Sequence, residues 1–216
     1  MRAAVLGADD GIVATASLMI GVGASSAPGS AVVVAGLAGL VAGSLSMAAG
    51  EYVSVSSQRD AERAEVELEI REHHRDPAYE LAELTALYVS RGLEPSLAGE
   101  VAEQLSAHDA LAAHLRDEFG FTDHGRARPL QAGIVSAASF AVGAAAPILA
   151  ALITPARLSI PVIAVVALIV LALLGVGGAH TGGGHRGRAA LRVVLGGGLA
   201  MAVTALIGRA LGGAGL

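Results

Sequence analysis

The chain has 216 residues, 54% of them apolar, with 29 glycines and a mean hydropathy of +0.64, a composition too apolar for a soluble domain of this length. It has no cysteine, which excludes disulfides, thiolate metal sites and cysteine nucleophiles. The net charge of −5 argues against a nucleic-acid ligand, and of the 19 acidic residues all but Asp9, Asp10 and Glu51 lie between Asp60 and Asp123.

A membrane-spanning helix needs about twenty mainly apolar residues. Five stretches meet that length: roughly 9–26, 31–54, 130–153, 158–180 and 190–211. Ala27-Pro28-Gly29-Ser30 separates the first two, Thr154-Pro155-Ala156-Arg157 the third and fourth, and the glycine-rich run from His180 to Arg188 the last two. The first stretch opens on two aspartates, where a secretory signal would have a basic region and an apolar core. Gly36, Gly39 and Gly43 on the second span include a Gly-x-x-x-Gly step that permits close helix approach.

Short cytoplasmic loops collect positive charge. With the N-terminus inside, the inner side holds Arg2, the arginines from Arg59 to Arg128, and Arg186, Arg188 and Arg192; the outer side holds Arg157 and Arg209. The expected topology is N-terminus in, C-terminus out. The acidic segment is then cytoplasmic. The chain divides into 1–55 with two spans, 56–128 as the acidic domain, and 129–216 with three spans.

The acidic domain reads as three helices. The first continues from the second span through Arg59 to about His74 and stops near Asp76-Pro77. The second runs from Pro77 to Arg91 with Gly92 as C-terminal cap, and the third from Pro95-Ser96 to Phe119-Gly120. Leu81, Leu84, Leu87, Val101, Leu105, Leu111 and Leu115, at helical spacing, form the expected apolar seam.

Glu62, Glu65, Glu69 and Glu72 recur at intervals of three and four, which places them on one helical face where like charges repel. Glu80 and Glu83 add to them from the second helix, and Glu100, Glu103, Asp117 and Glu118 from the third. Converging faces would make an oxygen-rich site for a hard or borderline divalent cation; the plainer reading is a solvated face laced by Arg63, Arg71 and Arg75. His73, His74, His108 and His114 offer imidazole, which favours borderline transition metals, but the pair His73-His74 reads as surface.

A carboxylate at the bilayer centre costs about 2.5–3.5 kcal/mol on insertion scales and marks an ion or proton path. Glu51 lies within the second span and Asp10 at the start of the first; Met47, four residues before Glu51, shares its face. For Asp9, a place at a helix N-terminus favoured by the macrodipole is a sufficient explanation. Five spans are few to enclose a polar pathway, so a homodimer with the pathway at the subunit interface is expected.

Asp10-Gly11-Ile12-Val13 opening the first span, Ser46-Met47-Ala48-Ala49-Gly50-Glu51-Tyr52-Val53-Ser54 closing the second, the charged insert, and Pro129-Leu130-Gln131-Ala132-Gly133 opening the third together resemble the vacuolar iron transporter family over nearly the whole chain. The resemblance implies an all-α membrane protein: a homodimer with five transmembrane helices per subunit and a three-helix cytoplasmic metal-binding domain between the second and third. It implies export of Fe²⁺, Mn²⁺ or similar ions from the cytoplasm in exchange for protons. An enzyme is not expected, since the chain has no cysteine, no His-Glu-x-x-His and no Gly-x-Ser-x-Gly, and no prosthetic group is expected. Asp10 and Met47 match the family's path residues. Glu69, Glu72, Glu80 and Glu83, with Glu65 as an extra, match its metal-collecting glutamates. Glu118 fits the third helix, but His114 stands where the family has methionine, which bears on the choice of metal. A bacterial source implies the plasma membrane and a eukaryotic one a vacuole-like store. The competing class is a membrane-anchored metal sensor or buffer, against which the costly Asp10, Met47 and Glu51 in the spans count.

Overall fold

A computed structural model of the protein describes residues 2–121 and 127–214. Asp123 and Arg126, counted above, lie outside the described residues, as does the side chain of Arg2. Every described element is helical: α1 (Arg2–Ala24), α2 (Gly29–Arg75), α3 (Pro77–Ser90), α4 (Pro95–Asp117), α5 (Pro129–Ile153), a short 3-10 turn (Ala156–Leu158), α6 (Ser159–Gly182) and α7 (Arg186–Gly213).

The ends of these helices follow from local chemistry. Asp76 caps α3, its Oδ1 accepting from the Tyr79 N–H at 3.1 Å, and Pro77 takes the first position, where a missing N–H costs nothing. Beyond α3, Gly92 adopts φ +101, a left-handed conformation that only glycine reaches without strain. The Glu94 carboxylate then accepts from Ser96 N at 3.1 Å and Leu97 N at 3.4 Å to start α4. Gly183, at φ 70, closes α6.

The chain separates into two compact units: Met1–Tyr52 with Leu130–Leu216, and Val53–Pro129. In the first, four helices are long and apolar enough to cross a membrane: α2, α5, α6 with its preceding turn, and α7. The fifth expected span, α1, is not among them; it carries Asp9 and Asp10 in its interior. It nevertheless supplies the centre of the apolar core, where Ile12, Ala16, Met19 and Ile20 pack with Ile148 and Ala151 of α5, Ile163, Ala167 and Leu171 of α6, and Met201 of α7. Small residues set the helix approach. A Cβ at Gly11 would run into the Phe140 carbonyl, and one at Gly143 into the backbone of Ala8, so α1 and α5 touch backbone to backbone. Gly36 and Gly43 likewise serve contacts inside the chain, against Met19 and Phe140. Large apolar residues such as Val34, Leu45, Ile134, Leu149, Leu195 and Leu206 point outward, the reverse of a water-soluble core.

The second unit is small. Leu84 and Tyr88 of α3 pack on Ala98, Ala102 and Ala113 of α4, ringed by Leu81, Leu87, Leu93, Val101 and Leu105. Leu111 and Leu115 of the expected seam are outside this cluster; tyrosine and three alanines take their place, because small side chains let α3 and α4 close together.

Two expectations require correction. The first helix begins at Arg2 rather than near residue 9, so Asp9 and Asp10 lie two turns inside it and the macrodipole, which fades after one turn, does not account for Asp9. The third helix of the acidic unit is not continuous. Asp109 is extended (φ −161, ψ 95), and its Oδ1 accepts from Ala112 N at 3.0 Å, so it acts as the N-cap of a separate last segment that carries His114.

Candidate metal centre

In the acidic unit, α2 ends at Arg75, the Asp76-Pro77 turn reverses the chain, and Glu80 on the first turn of α3 comes beside Glu69 and His73 on the last turns of α2. The final segment of α4 brings in His114. The four residues each offer a ligand atom, all within 4.8 Å of one another. Glu69 Oε1 lies 3.2 Å from His73 Nδ1 and 3.1 Å from His114 Nδ1; Glu80 Oε2 lies 3.7 and 3.8 Å from the same two nitrogens. Glu69, Glu80 and His114 are buried, at 3%, 4% and 1% exposure, which is rare for charged residues without a partner.

The cluster is not satisfied by its own hydrogen bonds. Glu69 Oε1, His73 Nδ1 and both ring nitrogens of His114 are buried without a hydrogen-bond partner. A cation bound at about 2.0–2.2 Å has ligand atoms ~3.0–3.5 Å apart along the edges of an octahedron or tetrahedron. The four separations lie at or a few tenths of an ångström beyond that range. Burial raises the Glu69 carboxyl to about 7; His114 opposes the shift, and Glu118, Glu80 and Glu72 add to it. An ion bound there would have to displace a proton from Glu69 near neutral pH.

The remaining sequence-expected ligands surround this core. Glu118, one turn beyond His114, places Oε2 3.4 Å from His114 Nδ1, and its side chain is 34% exposed at the rim. Glu83 is exposed and lines the adjoining groove with Leu84, Leu87, Ser90, His114 and Glu118. Glu72 and Glu65 are half-buried on α2 and outside the four-residue cluster. His73 was set aside in the sequence as surface, yet its Nδ1 faces both carboxylates. The signal that would have found it is the four-residue step from Glu69, repeated from His114 to Glu118. His74 points away, its Nδ1 2.6 Å from the Ile70 carbonyl.

The last segment of α4 is anchored to α3. Asp117 accepts from Tyr88 Oη at 2.7 Å and from Arg116 Nη2 at 2.6 Å, with Arg91 Nη1 at 3.4 Å and Arg91 also reaching the Asp117 carbonyl. These donors, Arg116 foremost, hold the Asp117 carboxyl down at about 2. Asp117, expected among the ligand carboxylates, is thereby committed to structure.

In the first unit, Asp10 is exposed, while Met47 and Glu51 are half-buried one turn apart on α2. Among the described residues neither Asp10 nor Glu51 has an ion-pair partner, and the two are not gathered into a cluster with other ligands. Pro147, fully buried in α5, has no N–H to donate to the Gly143 carbonyl, next to the crossing with α1.

Comparison with known proteins agrees with this architecture. The VIT family model matches residues 1–209. A protein of Acanthamoeba castellanii named vacuolar iron transporter is 47% identical over 209 residues, covering 96% of this chain and 77% of its own length. Vacuolar iron transporter homolog 5 of Oryza sativa subsp. japonica is 40% identical, and homolog 2.1 of Arabidopsis thaliana 38%, each over 94% of this chain and 76% and 78% of their own. With these matches and its apolar helices, the chain is a multi-pass membrane protein and belongs to the VIT family.

Proposed function

We propose that this protein carries divalent metal ions, Fe²⁺ or Mn²⁺, out of the cytoplasm in exchange for protons. The observation that carries the reading is the buried, hydrogen-bond-deficient cluster of Glu69, His73, Glu80 and His114 in a chain whose relatives are named iron transporters. The acidic unit collects the ion from the cytoplasm, with Glu65, Glu72, Glu83 and Glu118 as outer carboxylates that draw it in. Asp10, Met47 and Glu51 form the transient site in the spans. Two carboxylates and a thioether there suit a borderline cation that has shed part of its water.

Five spans per subunit is the reading that best accounts for α1, since its residues occupy the middle of the apolar core. A homodimer is supported by the exposure of Asp10, a costly place for a carboxylate in a membrane unless a second copy or a water-filled path covers it. Protons enter as competitors: protonating a path carboxylate removes its charge, so an acidic outer side releases metal and returns protons inward. The N-terminus and acidic unit then face the cytoplasm and the C-terminus faces outward.

The test is uptake of Fe²⁺ under reducing conditions, and of Mn²⁺ in parallel, into sealed proteoliposomes holding the parent chain or Asp10→Ala. Uptake that depends on Asp10 and rises with an imposed pH gradient is the expected result. Uptake indifferent to the gradient removes the proton coupling. Metal binding without flux in the parent chain moves the reading to a membrane-anchored sensor or buffer.

A further inference from the structure

We infer that His73 and His114 make the cytoplasmic cluster a two-nitrogen, two-oxygen centre that selects imidazole-seeking divalent cations, Fe²⁺, Co²⁺ and Zn²⁺, over Mn²⁺, Mg²⁺ and Ca²⁺. This rests on the reading of the acidic unit as the metal-collecting part of a divalent-ion carrier, and narrows it.

The donor atoms are the starting point. A glutamate-only site is built for hard cations, which take six or more oxygen ligands. Here two ring nitrogens, Nδ1 of His114 and Nδ1 of His73, both lie within 3.8 Å of the same two carboxylate oxygens. Neither nitrogen has a hydrogen-bond partner, and His114 is 1% exposed, so the ring cannot be satisfied by bulk water. The rings stand edge to face, centroids 4.7 Å apart and planes at 90°, so they do not stack on one another.

Affinity at a mixed nitrogen and oxygen site rises from Mn²⁺ through Fe²⁺ to Co²⁺, and Zn²⁺ lies well above Mn²⁺. Two imidazoles steepen that order, because the difference between these metals is larger for nitrogen than for oxygen donors. Four protein ligands in a compact, buried arrangement also suit the low coordination numbers that Zn²⁺ and Co²⁺ accept and that Ca²⁺ and Mg²⁺ do not. Glu118 at the rim is placed to serve as an exchangeable fifth ligand through which the ion enters and leaves.

The experiment is metal titration of the full-length protein in detergent, with Co²⁺ followed by its visible absorption and Zn²⁺ and Mn²⁺ by calorimetry. It compares the parent with His73→Asp, His114→Gln and His74→Gln. His73→Asp keeps a ligand but replaces nitrogen by oxygen, so its diagnostic is the ratio of Zn²⁺ to Mn²⁺ affinity, which a general loss of structure does not shift selectively. The expected results are an intense Co²⁺ band of low-coordinate type in the parent, a Zn²⁺ to Mn²⁺ ratio lowered roughly tenfold or more in His73→Asp, loss of the band in His114→Gln, and no change in His74→Gln. A weak, six-coordinate Co²⁺ spectrum, or an unchanged ratio in His73→Asp, overturns the inference while leaving a carboxylate-based collecting site intact. Failure of the parent chain to bind any of the three ions overturns both.

Discussion

The two units of this chain solve opposite packing problems. In the first, glycines let helices cross backbone to backbone around a core of isoleucine, methionine and alanine, and further leucines and valines cover the outside. In the second, leucine, tyrosine and alanine form a small inner core and charge covers the outside, except that Glu69, Glu80 and His114 are buried with it. Buried charge is costly without a partner. In the second unit Glu69, His73, Glu80 and His114 lie together with buried ligand atoms that have no hydrogen-bond partner. The first keeps its carboxylates few, and Asp10 exposed on the single chain.

The largest expected effect tests the packing half of this contrast. Gly143→Val drives a branched side chain into the Ala8 backbone, which cannot yield as a flexible side chain would, and the cost is at or above about 3 kcal/mol. Thermal unfolding in detergent should show a large loss. The same assay on Leu84→Ala, which empties the core of the acidic unit, should show about 2–5 kcal/mol lost. If Gly143→Val proves harmless, the close α1–α5 crossing is wrong.

Asp117→Ala comes next, at about 1.5–3 kcal/mol, because a charged acceptor shared by Tyr88, Arg116 and Arg91 is removed. Its metal affinity should fall less than that of Glu69→Gln, since Asp117 positions the last segment of α4 without joining the cluster.

The pH dependence then sharpens the contrast between Asp117, held by hydrogen bonds, and Glu69 in the unpartnered cluster. The folded-state value of Glu69 is raised, so its contribution to stability is fully present below 4.5 and is lost as the pH rises through about 7. Asp117 behaves oppositely: its folded-state value is lowered, and its contribution, present above 3.8, is lost as the pH falls through about 2. Melting temperatures of the metal-free protein should therefore decline between pH 5 and 8, and added Zn²⁺, which takes the place of the Glu69 proton, should remove that decline. A decline unaffected by metal contradicts the cluster as a binding site. The smallest change expected is Gly196→Ala, where a Cβ meets nothing within 4 Å and helix propensity favours alanine by about 1 kcal/mol or less.

Much of the helix plan was legible because its punctuation is local. Proline at 28, 77, 95 and 155 and glycine at 92 and 183 mark turns whatever surrounds them. The periodic glutamates of α2 and α3 were equally legible, since spacing alone places them on one face. What the sequence did not disclose depends on contacts distant along the chain. Asp109 reads as an ordinary polar residue until its side chain caps the following turn. His73 reads as surface until the end of α4 returns against α2, a pairing separated by some forty residues. Tyr88 is absent from the expected apolar seam, although its hydroxyl bonds Asp117 and its ring fills the core. As a membrane helix α1 is weakly signalled, because its two aspartates offset its apolar residues. Its central place follows from packing, not composition.

The measurement that tests the account most directly is metal flux and metal binding on the same proteoliposomes, over a range of Fe²⁺ concentrations, for the parent, Glu69→Gln and Asp10→Ala. If one unit collects the ion and the other carries it, Glu69→Gln should raise the concentration needed for half-maximal uptake while leaving the maximal rate near that of the parent, and Asp10→Ala should bind metal normally yet carry almost none. Equal losses of binding and flux in both variants, or full transport by Asp10→Ala, would contradict that division of labour.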